Sequence, residues 1–275
     1  MTVLDSENFR EALQRMALKN QDVELHPENI GFFPVLSDKE CSKVHEIVNE
    51  CSRMWAPIGR TYRTDHFLYT LGAATYIHGR KDVRRYRTAM LKYNGAMYDK
   101  FSFLYKILER KVSRHVGDAV ISPDLGPPGF HVIGPKPGRT LSPQRIEDLN
   151  QTVAATHYDG QGLIHQNVWS KFKEVDFENL LSFTVTIALP FSGGGLDVWD
   201  ENIPDSLLPK MRVSKRPESL PIFVPYTVGE AFFFIAPVGR IKHRIANLGN
   251  CTGYESRVTL QAHGIKCDGV WQLFF

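Results

Sequence analysis

The spacing of apolar residues follows a helical period in about the first 120 residues and a strand period in the rest. Apolar side chains first recur at every third or fourth position, at Cys41, Val44, Val48, Cys51 and Trp55. This spacing predicts a helix with one buried face, on which the cysteines are core residues. Ser37 and Glu40 stand just before it with the spacing of a capping box, so we expect the helix to begin there.

A second helical pattern covers residues 81–115. Its later half carries one apolar face, formed by Met97, Phe101, Leu104 and Leu108. Asn94 and Gly95 lie in the middle of the pattern, and glycine is disfavoured inside helices. We therefore expect the helix to be interrupted at these two residues.

Short apolar runs separated by glycine and proline follow residue 120. They predict eight strands, at residues 129–133, 152–157, 181–188, 195–199, 229–235, 242–246, 257–262 and 270–275. Short strands with no helices between them indicate a sandwich or a barrel rather than βαβ units. The proline-rich stretch 201–228 predicts a long rim loop that could act as a lid.

The composition is that of an ordinary globular protein, with 43% hydrophobic and 23% charged residues among 275. We expect a single domain over residues 1–275, with a helical support region at about 1–120 and a β region at about 121–275. The net charge is only +3, from 33 basic and 30 acidic residues. This balance gives no support to binding of nucleic acid or of an acidic membrane.

The cysteines and the first residues indicate a cytoplasmic protein. The four cysteines form no C-x-x-C pair, so neither a zinc site nor a redox motif is expected. The first 21 residues are polar and lack the apolar core of a signal peptide. The longest apolar runs fall far short of the ~18 residues that span a bilayer.

Three residues combine metal-ligating chemistry with a suitable order. His157 and Asp159 lie two positions apart, so they project to the same side of an extended segment. His243 follows 86 residues after His157 (243 − 157). Two imidazoles and one carboxylate are typical of a non-haem Fe(II) centre that keeps open positions for substrate and O₂. Arg257, 14 residues after His243 (257 − 243), shares a strand face with Thr259 and suits bidentate binding of a carboxylate.

This ordered set resembles the Fe(II)/2-oxoglutarate-dependent oxygenases, over about Gly129 to Phe275. The resemblance implies a mainly β fold, a double-stranded β-helix (a cupin-like jelly-roll barrel) buttressed by the N-terminal helices. It implies that His157, Asp159 and His243 hold Fe(II) as the catalytic centre. It also implies that Arg257, helped by Thr259, binds the C5 carboxylate of 2-oxoglutarate. The run 193–196, Gly-Gly-Gly-Leu, resembles a stretch that often follows the central strand in that family.

The activity implied by the resemblance is oxidation of an unactivated C–H bond of a small molecule. The substrate class would be an amino acid or a natural-product intermediate. Hydroxylation is the default outcome, with O₂ consumed and succinate and CO₂ released, although desaturation or ring formation uses the same residues. No nucleic-acid or membrane partner is expected, and a homodimer is left open.

Three further residues are candidates for substrate contact. His131 lies on a predicted strand before the metal segment, where a hydrogen-bonded core histidine is the alternative. Trp169 follows the metal segment, with core packing as the alternative. Arg63 could supply a cation for a substrate carboxylate, with a solvated loop as the alternative.

Two other classes of protein remain open at this point. Pro237-x-Gly239-x₃-His243-x₃-Asn247 is close to the second cupin motif, which would indicate a cupin-like metalloenzyme without 2-oxoglutarate. The first cupin motif, however, has two close histidines and a downstream glutamate, whereas Asp159 stands here. Arg257-x-Thr259 also favours the oxygenase. The second class is a non-catalytic barrel that serves as an interaction module.

Overall fold

The computed structural model describes residues 30–58, 66–79, 82–151, 156–159, 168–199, 221–237, 241–248 and 251–275. The α-helices in these ranges are α1 (Asp38–Glu50), α2 (Val83–Val116) and α3 (Pro143–Gln151). The strands are β1 (Ile30–Pro34), β2 (Ala56–Pro57), β3 (Leu68–Leu71), β4 (Ala119–Ile121), β5 (Gly129–Ile133), β6 (His157–Tyr158), β7 (Val175–Ala188), β8 (Gly195–Trp199), β9 (Ile222–Pro225), β10 (Glu230–Pro237), β11 (Lys242–Ile245), β12 (Arg257–Cys267) and β13 (Val270–Phe274).

The described strands form two sheets. The large sheet has nine strands in the order β1-β10-β7-β12-β5-β3-β2, with β13 beside β12 and β4 beside β13. The small sheet has the order β6-β11-β8-β9. All pairs are antiparallel except β13 with β4. β12 is long enough to pair with β5 over its first half and with β13 over its second half.

The two faces of the large sheet differ in chemistry. Val258, Leu260 and Ala262 of β12 belong to the core cluster that contains the apolar stripes of α1 and α2. The Phe101 ring of α2, for example, lies 4.7 Å from the ring of Phe130 on β5. The alternate residues point to the other face, since side chains alternate along a strand. The apolar face is therefore covered by helices.

The inner face of the large sheet is polar along its middle strands. Arg257, Thr259, Gln261 and His263 alternate along β12, and all but the partly buried Gln261 are buried. Towards β1 and β10 the space between the sheets is filled by an apolar cluster: Ile30, Phe232 and Phe234 from the large sheet pack with Leu196, Val198 and Val224 of the small one. The space between the sheets thus has one polar and one apolar side.

The first helix forms as its sequence predicts. Ser37 Oγ accepts from the Glu40 amide and the Glu40 carboxylate accepts from the Ser37 amide, which completes the capping box. Cys41, Val44 and Val48 are its buried residues.

The expected interruption at Asn94-Gly95 is wrong, because α2 runs unbroken through both residues for 34 residues. A helix-interior glycine costs about 1 kcal/mol relative to alanine. Here Tyr93 and Met97 on either side are buried against the core. The Asn94 side-chain amide also donates to the carbonyl of Leu125, at 3.3 Å. Packing along the long helix outweighs the local preference.

Two other expectations need correction. Residues before 120 are not helical throughout, since β1, β2, β3 and β4 all join the large sheet. The predicted rim loop 201–228 also contains β9, which pairs with β8. Residues 201–220 of that loop lie outside the described residues. These strands are only two to five residues long and carry too few alternations to be recognised from spacing alone.

The fold class expected from the sequence is confirmed. Two opposed, mainly antiparallel sheets enclose a space, and helices cover the outer face of the large sheet, as in a double-stranded β-helix with N-terminal helices. Over the described ranges, no helix has both the length and the apolar character needed to cross a membrane.

Candidate active site

Strand pairing brings the two histidines of the proposed metal site together. His157 on β6 lies directly opposite His243 on β11, and their ring centroids are 4.5 Å apart. Asp159 follows β6 by one residue, and its Oδ1 lies 3.7 Å from the Nε2 of His243. One ligand atom from each of the three residues lies within 4.8 Å of the others. The described part of the chain contains no other such group of three or more potential ligands.

A hydrogen bond fixes the orientation of the His243 ring. Its Nδ1 donates to the carbonyl of Ile241 at 3.0 Å, which leaves the lone pair on Nε2, the atom that faces Asp159. Such a second bond fixes both the tautomer and the plane of a ligating imidazole.

Asp159 is a buried carboxylate held in its charged form. Burial by itself would raise its pKa, but His243, His263 and His157 and a hydrogen bond from Ser182 outweigh burial and hold the pKa below its usual value. The Ser182 hydroxyl donates to Oδ2 at 2.5 Å. An ionised carboxylate is the form that binds a metal ion.

The donor set fits Fe(II). Two imidazoles and one carboxylate, with one ligand atom from each within 4.8 Å of the others, are the donor set of a facial triad with open positions. A structural zinc site would be closed by four ligands, most often with cysteine, and all four cysteines are buried elsewhere, as free thiols in the core.

Arg257 is a buried cation, and only part of its hydrogen-bonding capacity is satisfied by the described residues. It opens β12 with 1% of its surface exposed, and its Nε and Nη1 have no hydrogen-bond partner among the described residues. Its guanidinium carbon lies 5.1 Å from the ring centroid of Tyr226. Within the described ranges no carboxylate lies at ion-pair distance. Because an uncompensated buried charge is costly, an anionic ligand bound to this guanidinium would be stabilised. Thr259, two positions along the same face, is also buried.

His131 lies on the inner face of β5, opposite Thr259. Burial lowers its pKa to about 3, so the imidazole is neutral at physiological pH. Its Nε2 contacts the hydroxyl of Tyr76, and that hydroxyl also donates to Oε1 of Gln261 at 3.1 Å. His131 is therefore a hydrogen-bonded residue that also lines the polar side of the enclosed space.

Trp169 and Arg63, the two other substrate candidates, lie differently. Trp169 is fully buried in the core cluster on the helix-covered side of the large sheet. Its ring lies 5.5 Å from that of Phe274. This packing matches the core alternative for Trp169. Arg63 lies outside the described residues.

Sequence reasoning missed Tyr76, Gln261, Ser182 and His263. Tyr76 lies in a single π-helical turn, Thr75–Gly79, for which no spacing pattern exists. Ser182 and Gln261 sit on predicted strands, whereas His263 lies one residue beyond the predicted strand 257–262. A two-residue count from Thr259, carried past that boundary, would have found Gln261 and His263.

The Gly-Gly-Gly run before β8 has a steric function. Gly193 adopts φ of +84°, a conformation that favours glycine. A Cβ on Gly195 would lie 2.2 Å from the carbonyl oxygen of Val224, so only glycine lets β8 approach β9 this closely.

No protein-family model matches the chain, and a search of curated proteins finds no match. Solved structures do match. An N-substituted L-amino acid dioxygenase from Burkholderia ambifaria AMMD aligns at 13% identity and a TM-score of 0.50, over 97% of this chain and 91% of that one. EvdO2 from Micromonospora carbonacea var. aurantiaca, solved with 2-oxoglutarate, aligns at 14% identity and a TM-score of 0.44, over 96% and 91%. The likeness at a TM-score of 0.50 shows that this chain has the fold of that dioxygenase, a double-stranded β-helix.

Proposed function

We propose that the chain is a non-haem Fe(II)/2-oxoglutarate-dependent oxygenase that oxidises a C–H bond of a small molecule. The single observation that carries this is the convergence of His157, Asp159 and His243 inside a barrel that also holds the buried guanidinium of Arg257, two of whose nitrogens have no hydrogen-bond partner among the described residues. A metal triad alone fits several classes of enzyme. The Arg257 cation in the same barrel would bind one carboxylate of a dicarboxylate cosubstrate.

His157, Asp159 and His243 would hold Fe(II) on one side and leave the opposite positions open. When bound, Fe(II) with O₂ and 2-oxoglutarate supplies oxidation of the substrate C–H bond to C–OH, as 2-oxoglutarate is converted to succinate and CO₂. Asp159 contributes the negative charge that offsets the metal. The Ile241 carbonyl keeps the Nε2 lone pair of His243 directed at the site.

Arg257 would bind the distal carboxylate of 2-oxoglutarate with its planar guanidinium, of which Nε and Nη1 have no hydrogen-bond partner among the described residues. Thr259 would add a hydroxyl from the same strand face. Tyr226, stacked on the guanidinium, holds its plane in position. The energetic gain is large because the guanidinium is already desolvated before the carboxylate arrives.

The substrate class we propose is an amino acid or a natural-product intermediate. Its support is the two-sided character of the enclosed space. Tyr76, His131 and Gln261 offer hydrogen-bonding groups on one side, and on the other the apolar ring of Phe234 lies 5.8 Å from the ring of His243. Enclosure between the sheets excludes bulk water and orients one C–H bond.

Anaerobic reconstitution tests the proposal. The full chain is loaded with Fe(II) and 2-oxoglutarate, exposed to O₂, and assayed for succinate with a panel of amino acids and related metabolites. We expect substrate-dependent succinate in the wild type and none in His243→Ala. Metal binding without any 2-oxoglutarate consumption would overturn the oxygenase assignment and favour a cupin-like enzyme. Absence of metal binding would favour a non-catalytic barrel.

A further inference from the structure

Ser182 lies between the proposed iron-binding carboxylate and a second buried histidine. Its Oγ is 2.5 Å from Oδ2 of Asp159 and 2.8 Å from Nδ1 of His263. Ser182 comes from β7 and His263 from β12, where the two face each other in register. All three side chains are buried.

The direction of each hydrogen bond follows from the chemistry of the groups. An ionised carboxylate can only accept, so the single hydroxyl hydrogen of Ser182 goes to Asp159. The Ser182 oxygen is then left as the acceptor for His263, whose Nδ1 must carry the ring hydrogen. The Nε2 of His263 has no hydrogen-bond partner among the described residues.

We propose that Ser182 and His263 are positioning residues that hold Asp159 as a one-oxygen metal ligand through Oδ1. This inference rests on the proposed function, because it assigns a role to residues around the same metal. Oδ2 is occupied by the Ser182 hydroxyl, whereas Oδ1 is the oxygen that faces Nε2 of His243. The Ser182 hydrogen bond therefore holds Oδ2 in place, and Oδ1 is left to bind the metal.

The pair also sets the charge at the site. The His263 N–H donates to the Ser182 oxygen and the Ser182 O–H donates to Asp159, so the two bonds form a chain that stabilises the negative charge of the carboxylate. Without the hydroxyl the carboxylate could rotate and present both oxygens, which would occupy a position that 2-oxoglutarate or O₂ needs.

Co(II) binding to the metal-free full chain tests this inference without relying on turnover. Affinity is measured by calorimetry and ligand geometry by the visible absorption of bound Co(II). We expect Ser182→Ala to weaken binding by about 10–100-fold and to change the absorption spectrum. Ser182→Thr keeps the hydroxyl and should restore both. Thr70→Val is the matched control, because Thr70 Oγ1 is a buried hydroxyl without a partner among the described residues, and it should change neither.

A double-mutant cycle separates a coupled pair from two independent packing effects. His263→Phe keeps an aromatic ring against Tyr76 and Phe274 but removes the N–H. We expect it to weaken Co(II) binding less than Ser182→Ala does, and the double variant to be no worse than Ser182→Ala alone. Strictly additive losses would overturn the inference.

The outcomes distinguish this inference from the proposed function. A wild type that binds no metal overturns both. A wild type that binds Co(II), with Ser182→Ala equal to it in affinity and spectrum, overturns the positioning role alone and leaves the oxygenase proposal standing. Circular dichroism and thermal melting verify that each variant is folded. If Ser182→Ala is not, His263→Phe and Ser182→Thr decide by the Co(II) spectrum.

Discussion

His157 and His243, 86 residues apart in sequence (243 − 157), are directly paired across β6 and β11 with their ring centroids 4.5 Å apart. Because side chains alternate along a strand, a shift of one residue in this register would turn one ring away from the site. The proposed metal centre thus depends on the pairing of two short strands of the small sheet.

Loss of either histidine should remove the metal and leave the fold intact. His157→Ala and His243→Ala each delete one of the three proposed ligands, so we expect purified protein with little bound iron and no turnover. Metal content and circular dichroism measure the two effects. His45→Ala on α1 is the control and should retain iron. Full turnover with metal retained in His243→Ala would contradict the ligand assignment.

Removal of Arg257 should affect the cosubstrate and not the metal. Charge-assisted hydrogen bonds contribute about 1.5–3 kcal/mol each, so Arg257→Ala should weaken 2-oxoglutarate binding by at least about tenfold to a hundredfold. Arg257→Lys should restore little, because an ammonium cannot reproduce the planar fork. Anaerobic calorimetry with 2-oxoglutarate provides the measurement.

The control for that experiment is Arg110→Ala, which removes an exposed guanidinium from α2. It should leave the affinity for 2-oxoglutarate unchanged. An unaltered affinity in Arg257→Ala, with iron still bound, would instead support a cupin-like enzyme that does not use 2-oxoglutarate.

Asp159 should keep halide away from the metal. As the proposed ligand, its carboxylate would fill a coordination position with an anionic oxygen, so wild-type turnover in molar chloride should give an oxidised product and no chlorinated one. Asp159→Gly should lose most of the native activity, because the metal loses its only protein anion. Mass spectrometry of the products distinguishes these cases. A dominant chlorinated product from the wild type would show that Asp159 is not a ligand.

The stability of the metal-free protein should fall on mild acidification. The pKa of His131 is lowered to about 3 by burial, whereas an unfolded histidine titrates near about 6.5. Below about pH 6.5 the unfolded chain therefore binds a proton that the folded chain does not. The contribution of His131 to the free energy of unfolding is complete above about pH 6.5. It decreases by up to about 1.4 kcal/mol per pH unit as the pH falls towards 3.

Urea unfolding at pH 7.5, 6 and 5 checks this expectation. The decrease should be smaller in His131→Gln, which keeps a neutral hydrogen-bonding group near Tyr76 but cannot titrate. If the free energy of unfolding depends on pH equally in the wild type and in His131→Gln, His131 takes up its proton at the same pH in the folded and the unfolded protein, which would contradict the expectation.

The local pattern of residues was enough to predict the elements that have a specific capping pair or a long apolar stripe. Ser37 and Glu40 predicted the start of α1, and the apolar stripe on α2 predicted the face that packs against Phe130. The two-residue spacing of His157 and Asp159 placed both side chains on one side of an extended segment. Each of these inferences depends only on neighbouring residues and on the period of a helix or strand.

The sequence by itself determined the chemistry available: two imidazoles, a carboxylate and an arginine, in an order typical of one family, within a β-rich region. Only the tertiary structure decided which further groups meet them. Ser182 lies 23 residues from Asp159 and 81 from His263, and Tyr76 reaches His131 across 55 residues. These contacts depend on the order and register of strands, which arise from packing of the whole barrel and leave no periodic trace in the sequence.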